Sequence, residues 1–213
     1  LWCLTHPDVV LAIHRAYAEV GSDIVECNSF GGTRYKLRHF GLQDRVTEIN
    51  RAAARLAREV ADGRQYVLGS AGPTGAFLEP LGEETEDAFF AAFREQVEAL
   101  EAGGADAVIV ETMTAVEEAA IAIRAARAHT SLTVMASFTF DPQPSGGYAT
   151  MMGVTPERAA EAAIEAGAHI VGTNCGTGGR DMVEVIRRMK VAAAGAVPLI
   201  AMPNAGMPVL ENG

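Results

Sequence analysis

The sequence has few cysteines and no long apolar run, and each absence excludes a class of protein. Its three cysteines, Cys3, Cys27 and Cys175, are odd in number and widely spaced. We therefore expect no disulfide framework, and we expect the protein to reside in a reducing compartment. No uninterrupted apolar run reaches the length of a membrane-spanning helix, and no secretory signal with a basic start is visible. We therefore expect a cytoplasmic protein.

Basic residues are also scarce, with 17 Lys and Arg against 27 Asp and Glu and a net charge of −10. Nucleic acids and anionic membranes both attract basic patches, so neither is an expected partner. No strand leads through a clear Gly-x-Gly-x-x-Gly into a helix with an acidic residue about 20 positions further on, which weakens a dinucleotide-binding interpretation. A starting Met is absent too, which is typical of a processed, trimmed or partly ordered piece of a longer chain.

What the sequence does contain is a repeated unit of helix, glycine and strand. In residues 9–30, 93–113 and 159–175, apolar residues recur at three- and four-residue spacing and lead through a glycine into a short apolar run. A run such as Val108–Val110 is apolar on both faces, which is typical of a buried parallel strand. Further helices are expected at Glu48–Ala61, Ala115–Ala128 and Asp181–Ala193. Six strands are expected, beginning near Ile24, Tyr66, Ala107, Leu132, His169 and Val197.

The alternation of strands and helices predicts one α/β domain over residues 1–213, in which Asp141–Thr150 is the most loop-like segment. Polar and glycine-rich residues follow the strands, on the edge that carries the active site in both a (β/α)8 barrel and a doubly wound sheet. Six units of similar size favour the TIM barrel. A complete barrel needs eight units in roughly 250 residues, so this chain is about two units short.

Six motifs follow one another at the expected strand ends: DIVECNSFGG, GSAGPTG, GADAVIVETM, ASFTF, GAHIVGTNCG and AMPNAGMP. In this order and spacing they resemble the homocysteine S-methyltransferase domain family, closest to the homocysteine-binding module of cobalamin-dependent methionine synthase. The resemblance runs from Pro7 to Pro208. It implies a TIM barrel that here lacks its first strand and its last βα unit, and so keeps strands two to seven.

The resemblance also implies a reaction, the zinc-dependent transfer of a methyl group to the thiol of homocysteine to give methionine. Methylcobalamin, charged from methyltetrahydrofolate, is the implied donor, and corrinoid-binding and folate-binding domains in the same or another chain are the implied partners. In the family three cysteine thiolates hold the Zn²⁺, and Cys175 in GTNCG matches the first of them. The other two belong to a Gly-Gly-Cys-Cys-Gly motif that this sequence does not contain.

Other strand-end residues are candidates for the substrate site. Glu111 matches the carboxylate that in the family faces the amino group of homocysteine, and a carboxylate beyond a buried apolar run needs a cationic partner. The Gly69–Gly75 loop, with the backbone amide of Gly72 and the hydroxyl of Thr74, suits the carboxylate of homocysteine. The alternative is a tight turn that needs Gly and Pro only for its geometry. Candidates that tie adjacent loops together around the substrate are Asn28, Ser137, Asn174 and Asn204.

Several alternatives stay open. In one alternative, the chain is a non-catalytic module that binds homocysteine or a corrinoid partner. In another, it is a methyltransferase for another small thiol or selenol, with S-methylmethionine or a betaine-like donor. A phosphate-binding barrel enzyme is disfavoured, because such sites follow strands seven and eight and this sequence has a proline-rich segment there. The alternative for Cys175 is a small buried hydrophobic residue, but its place between Asn174 and a glycine loop favours the metal ligand.

Overall fold

The computed structural model describes residues 1–206, and its centre is a parallel sheet of six strands. The strands pair in chain order, and each runs parallel to its neighbours. They are β1 (Ile24–Glu26), β2 (Tyr66–Ala71), β3 (Ala107–Met113), β4 (Thr133–Phe138), β7 (Ile170–Gly178) and β8 (Leu199–Asn204). All six expected strands are present within about two residues of the expected starts. The last two residues of the AMPNAGMP motif, 207 and 208, lie outside the described residues.

Eight helices accompany the sheet within residues 1–206. They are α1 (Trp2–Thr5), α2 (Pro7–Glu19), α3 (Arg34–Leu37), α4 (Val46–Ala61), α5 (Glu86–Ala102), α6 (Val116–His129), α7 (Pro156–Glu165) and α8 (Gly179–Ala193). The segment expected to be loop-like contains a small antiparallel hairpin, β5 (Asp141–Pro142) with β6 (Tyr148–Ala149). In this described part of the chain, none of the helices combines the length and the apolar character that a bilayer crossing requires.

The helices between strands begin and end at residues suited to those positions. The hydroxyl of Thr85 accepts a hydrogen bond from the amide of Ala88 at 3.2 Å and so caps α5, and Thr155 caps α7 in the same way. After these helices the chain turns at Gly104 and Gly167, each with φ of +100°, a conformation that glycine adopts without a Cβ penalty. The threonine caps fix where these helices begin, and the glycine turns let the chain reverse direction into the next strand.

The sheet curls into an open half-barrel with two apolar layers. The larger layer packs the helices against the outer face of the sheet. A smaller layer fills the inner face, where Leu68, Ala107, Ile109 and Met135 are buried. β1 and β8 are the edge strands of this sheet in residues 1–206, so the barrel is open there. The prediction of an incomplete α/β barrel, without its first strand and its last βα unit, is confirmed. Polar residues follow this inner apolar layer at the carboxyl ends of the strands.

Candidate active site

The carboxyl ends of β3, β4 and β7 meet at the buried side chain of Asn174. Its Oδ1 accepts hydrogen bonds from the backbone N–H of Thr112 at 3.0 Å and from the hydroxyl of Ser137 at 2.9 Å. Its Nδ2 donates toward Thr112 Oγ1 at 2.7 Å, Glu111 Oε2 at 3.1 Å and Cys175 Sγ at 3.4 Å. One amide therefore joins three strand ends, a carboxylate and a thiol.

The carboxylate of Glu111 is 8 % exposed and receives hydrogen bonds on both oxygens. The hydroxyl of Ser70, on β2, donates to Oε1, and the amide of Asn174 donates to Oε2. Both donors are neutral, so they solvate the carboxylate without cancelling its charge. A buried carboxylate in such a setting is stabilised further by a cation. The site is therefore suited to a positively charged group.

A second carboxyl group, that of Glu26 at the end of β1, lies close enough to Glu111 to interact with it electrostatically. Glu26 as a whole is exposed at the open edge of the sheet, but its carboxyl group is desolvated. Desolvation, followed by the charge of Glu111, raises the pKa of Glu26 to about 8. Sequence reasoning missed Glu26, although alternation along β1 places it on the opposite face from Val25 and Cys27, which are buried against the helices.

Two residues beside Asn174 have left-handed backbone conformations, Thr112 with φ of +59° and Cys175 with φ of +55°. Such conformations are uncommon for residues other than glycine, and a β-branched residue such as Thr112 is a clear outlier. Each costs of the order of 1–3 kcal/mol and persists only where the surroundings hold it. The register of β3 shifts between Val110 and Met113, and that of β7 shifts after Asn174. The irregularity in β7 turns the thiol of Cys175 out of the sheet and leaves it exposed.

The three cysteines differ in position. Cys3 and Cys27 are each 4 % exposed and belong to the core on the helix side of the sheet. Burial, reinforced by the charge of Glu26, raises the pKa of the Cys27 thiol to about 12. Cys175 is accessible, and its sulfur accepts an N–H···S contact from Asn174 at 3.4 Å. Within residues 1–206 no group of three His, Cys, Asp or Glu side chains is arranged to hold a metal ion. Cys175 fits as one ligand of such a site, not as the whole of it.

The glycine-rich loop after β2 differs from its expected arrangement. The amide of Gly72 donates to the carbonyl of Phe30 at 2.9 Å, and a side chain at Gly72 would overlap the Phe30 ring. The amide and the hydroxyl of Thr74 both donate to Glu118 Oε1 at 2.7 Å. Glu118, on α6, is buried, and desolvation raises its pKa against the lowering effect of these two hydrogen bonds. Both groups expected to bind the substrate carboxylate thus have protein partners, which favours the alternative of a turn that needs these residues for its shape.

The remaining candidates, Asn28 and Asn204, lie at the ends of the two edge strands of the sheet. Asn28 is exposed after β1, beside a cavity whose lining includes Trp2 and Ile13. Asn204 is half-buried at the end of β8, in register with Gly178. The structure therefore brings together four of the sequence-derived candidates, Glu111, Ser137, Asn174 and Cys175, and adds Glu26, Ser70 and Thr112 to them.

Comparison with known proteins gives one family and consistent relatives. The family model described as homocysteine S-methyltransferase matches residues 1–213. The methionine synthase of Mycobacterium tuberculosis (strain ATCC 25618 / H37Rv) is 36% identical over 218 residues, which cover 97% of this chain and 18% of that protein. The methionine synthase of Mycobacterium leprae (strain TN) is 35% identical over 216 residues, covering 97% of this chain and 17% of that protein. The chain thus spans less than a fifth of the length of these relatives.

Solved structures resemble the fold. The metallated form of the homocysteine methyltransferase MmuM from Escherichia coli superposes with a TM-score of 0.81 and 21% sequence identity, covering 96% of this chain and 75% of that one. Its apo form gives a TM-score of 0.77 over 96% of this chain and 74% of that chain, also at 21% identity. At this identity the likeness establishes the architecture and leaves the chemistry to the side chains described above.

Proposed function

The chain belongs to the homocysteine S-methyltransferase family, and from this premise we propose that it binds homocysteine and presents its thiol for methylation to methionine. The observation that carries the proposal is the arrangement around Asn174. A buried carboxylate and an exposed thiol are held by one amide at the mouth of the half-barrel. Homocysteine carries an ammonium group and a thiol, the two groups that such a pair can engage.

The ammonium group is proposed to bind at Glu111. Glu111 is buried, its carboxylate has two neutral hydrogen-bond donors among the described residues, and the carboxyl group of Glu26 lies near it. An ammonium ion would supply the positive charge that these donors lack. Ser137 acts through Asn174 in this proposal, and Asn28, Asn204, Gly72 and Thr74 remain predictions as substrate-binding residues.

Cys175 is proposed to supply one thiolate ligand to Zn²⁺, with two further ligands from outside the described residues. The exposure of Cys175 and the contact that its sulfur accepts from Asn174 support a metal-ligand role at this position. Zinc bound by thiolates lowers the pKa of a thiol that joins it, which favours the reactive form of homocysteine at neutral pH. What the protein's own residues do is bind and orient: Glu111 fixes the ammonium end, and Asn174 fixes Glu111 and Cys175.

Methylcobalamin, recharged from methyltetrahydrofolate, is the proposed methyl donor, and corrinoid-binding and folate-binding domains are the proposed partners. The support is the similarity to methionine synthases over 97% of this chain. The test is methylation of homocysteine by the intact protein with methylcobalamin, compared with S-methylmethionine as an alternative donor. Turnover only with S-methylmethionine would contradict the corrinoid donor and leave the homocysteine site standing.

The role of Cys175 is tested by Cys175→Ala in the intact protein, with zinc content measured by elemental analysis and methionine formation by chromatography. We expect both to be lost. Cys27→Ala is the matched control, because Cys27 is a core thiol on the other face of the sheet and its loss should leave zinc content unchanged. A Cys175→Ala protein that binds zinc at full stoichiometry and methylates homocysteine would remove Cys175 from the site.

A non-catalytic homocysteine-binding module is the second candidate, because the described residues bring a single accessible thiol to the site. It predicts homocysteine binding without zinc. Zinc content of the intact protein, measured with all cysteines reduced, therefore separates the two functions.

A further inference from the structure

Asn174 contacts both the carboxylate assigned to the substrate ammonium and the thiol assigned to the metal. We propose that Asn174 is a positioning residue that sets the separation of these two groups, so that the site selects the chain length of homocysteine over that of cysteine. This inference rests on the proposed function and deepens it, since it assigns substrate discrimination to a residue that need not touch the substrate.

The hydrogen bonds leave the Asn174 amide one orientation. Its Oδ1 accepts from the Thr112 N–H and the Ser137 hydroxyl, so Nδ2 must face Glu111 and Cys175. The reverse orientation would set the NH₂ group against the Thr112 N–H, donor to donor, and Oδ1 against the Glu111 carboxylate, acceptor to acceptor. The two hydrogens of Nδ2 are shared among three acceptors, Thr112 Oγ1 at 2.7 Å, Glu111 Oε2 at 3.1 Å and Cys175 Sγ at 3.4 Å. Movement of Glu111 or Cys175 away from this nitrogen therefore weakens its hydrogen bonding. Burial of Asn174, at 3 % exposure, makes that weakening unfavourable.

The backbone on both sides depends on the same side chain. Thr112 and Cys175 have left-handed conformations that persist only where the surroundings hold them. Asn174 makes two hydrogen bonds with Thr112, one to its N–H and one to its hydroxyl, and a third contact with Cys175. Without the amide, both segments are free to relax toward ordinary conformations. Relaxation of β3 moves Glu111, and relaxation of β7 moves the thiol.

Homocysteine and cysteine differ by one methylene between the thiol and the carbon that bears the ammonium. A pocket usually discriminates one methylene by roughly 10–200-fold, and displacements of about 1 Å in a reacting geometry can lower rates by about 100-fold. Two attachment points discriminate length only when their separation is fixed. A site whose ends drift apart or together accepts the shorter thiol more readily, relative to the longer one.

The test compares wild type with Asn174→Asp and Asn174→Ala in the intact, zinc-loaded protein. Asn174→Asp is nearly isosteric and keeps an acceptor for Thr112 and Ser137, but it has no NH₂ group for Glu111 and Cys175. Dissociation constants for L-homocysteine and L-cysteine are measured by calorimetry without a methyl donor, together with KM for homocysteine, zinc content and the thermal unfolding midpoint. Thr173→Val is the matched control, a change of similar volume at the neighbouring buried residue, whose side chain alternates to the other face of β7.

We expect both Asn174 variants to retain zinc and to lower the cysteine-to-homocysteine ratio of dissociation constants by about tenfold or more, while the control stays within about twofold of wild type. A purely structural role would weaken both ligands together, so an unchanged ratio in folded Asn174→Asp or Asn174→Ala overturns the inference and leaves the proposed function intact. A wild-type protein that binds no homocysteine overturns the proposed function and this inference with it.

Discussion

Two buried asparagines hold different parts of the carboxyl edge of the sheet, and their surroundings differ. Asn50, on α4, donates to the carbonyls of Gly32 and Val46 at 2.8 Å and accepts from Gln96 at 3.2 Å. All of these partners are neutral. Asn174, by contrast, contacts a carboxylate, a thiol and a residue with a left-handed backbone. The first arrangement holds loops in place, and the second holds loops and reactive groups together.

Ser70 connects the two regions. Its carbonyl accepts from the Ser29 hydroxyl at 2.8 Å and from Gln96 at 3.2 Å, which places its backbone in the Asn50 region. Its own hydroxyl donates to Glu111, which belongs to the Asn174 region. Changes in the Asn50 region are therefore expected to alter stability, changes in the Asn174 region to alter binding, and a change at Ser70 to alter both.

The largest expected effect is Gly32→Ala in the Asn50 region. A Cβ there would overlap Asn50 Oδ1 and lie 2.7 Å from the Ser29 carbonyl oxygen. Because these atoms belong to a network of buried hydrogen bonds, we expect a loss of about 3 kcal/mol in the free energy of unfolding, measured by denaturant titration. Gly31→Ala is the control, since the nearest atom to its added Cβ is Lys36 Cβ at 3.8 Å. Equal stability of the two variants would contradict the tight packing described here.

Ser70→Ala should have the next largest effect. It leaves Glu111 without one of its two neutral donors in a buried setting, at a cost of about 1–3 kcal/mol. It should also raise the dissociation constant for homocysteine, because the carboxylate is less firmly held. Ser29→Ala removes a hydroxyl that bonds only the backbone of Ser70, so it should lower stability with little change in homocysteine binding. Equal losses of homocysteine binding in the two variants would contradict the assignment of stability to the Asn50 region and of binding to the Asn174 region.

Cys175→Gly tests the backbone conformation in the Asn174 region. The residue has φ of +55°, which glycine adopts freely and which disfavours other residues by about 1–2 kcal/mol. Cys175→Ala removes the same thiol but keeps the Cβ. We therefore expect Cys175→Gly to be more stable than Cys175→Ala by about 1 kcal/mol, with both lacking the thiol for zinc. A glycine variant no more stable than the alanine variant would show that the conformation is not strained.

The strand order and the strand-end positions of Glu111, Asn174 and Cys175 could be predicted from the sequence, because periodicity marks the strands. The choice of these residues as candidates came from the resemblance of the strand-end motifs to one family. Glu26 and Ser70 could not be identified from the sequence, because their contacts with Glu111 depend on how far side chains reach across neighbouring strands of a curved sheet. No pattern within one strand contains that information.

The glycine-rich loop after β2 illustrates the same limit. Its sequence shows glycines and the hydroxyl of Thr74, which suit an anion. The structure shows that the anion at Thr74 is the protein's own Glu118, 44 residues further along the chain. Loop composition indicated the kind of partner but could not distinguish a substrate carboxylate from a side chain on a neighbouring helix.

The smallest effect is expected from Glu26→Gln, because Glu26 lies at an exposed edge where solvent weakens electrostatic interactions. The pKa of Glu26 is raised from 4.5 to about 8 in the folded protein. Between these two pH values the folded carboxyl group keeps its proton while the unfolded one loses it. The folded state therefore binds more protons, and the free energy of unfolding falls as pH rises through this window.

Glu26→Gln removes this contribution, so denaturant titrations across the window should give a flatter dependence of stability on pH than wild type. Glu48→Gln is the control, an exposed carboxyl group whose pKa the hydrogen bond from Arg45 lowers below 4.5. The contribution of Glu48 to stability is lost only at lower pH. The dependence of stability on pH in the Glu48→Gln variant should therefore match wild type in this window. If Glu26→Gln also keeps the wild-type slope, the pKa of Glu26 is not raised in the folded protein. Glu26 would then be ionised across this window and would add its negative charge to the Asn174 region.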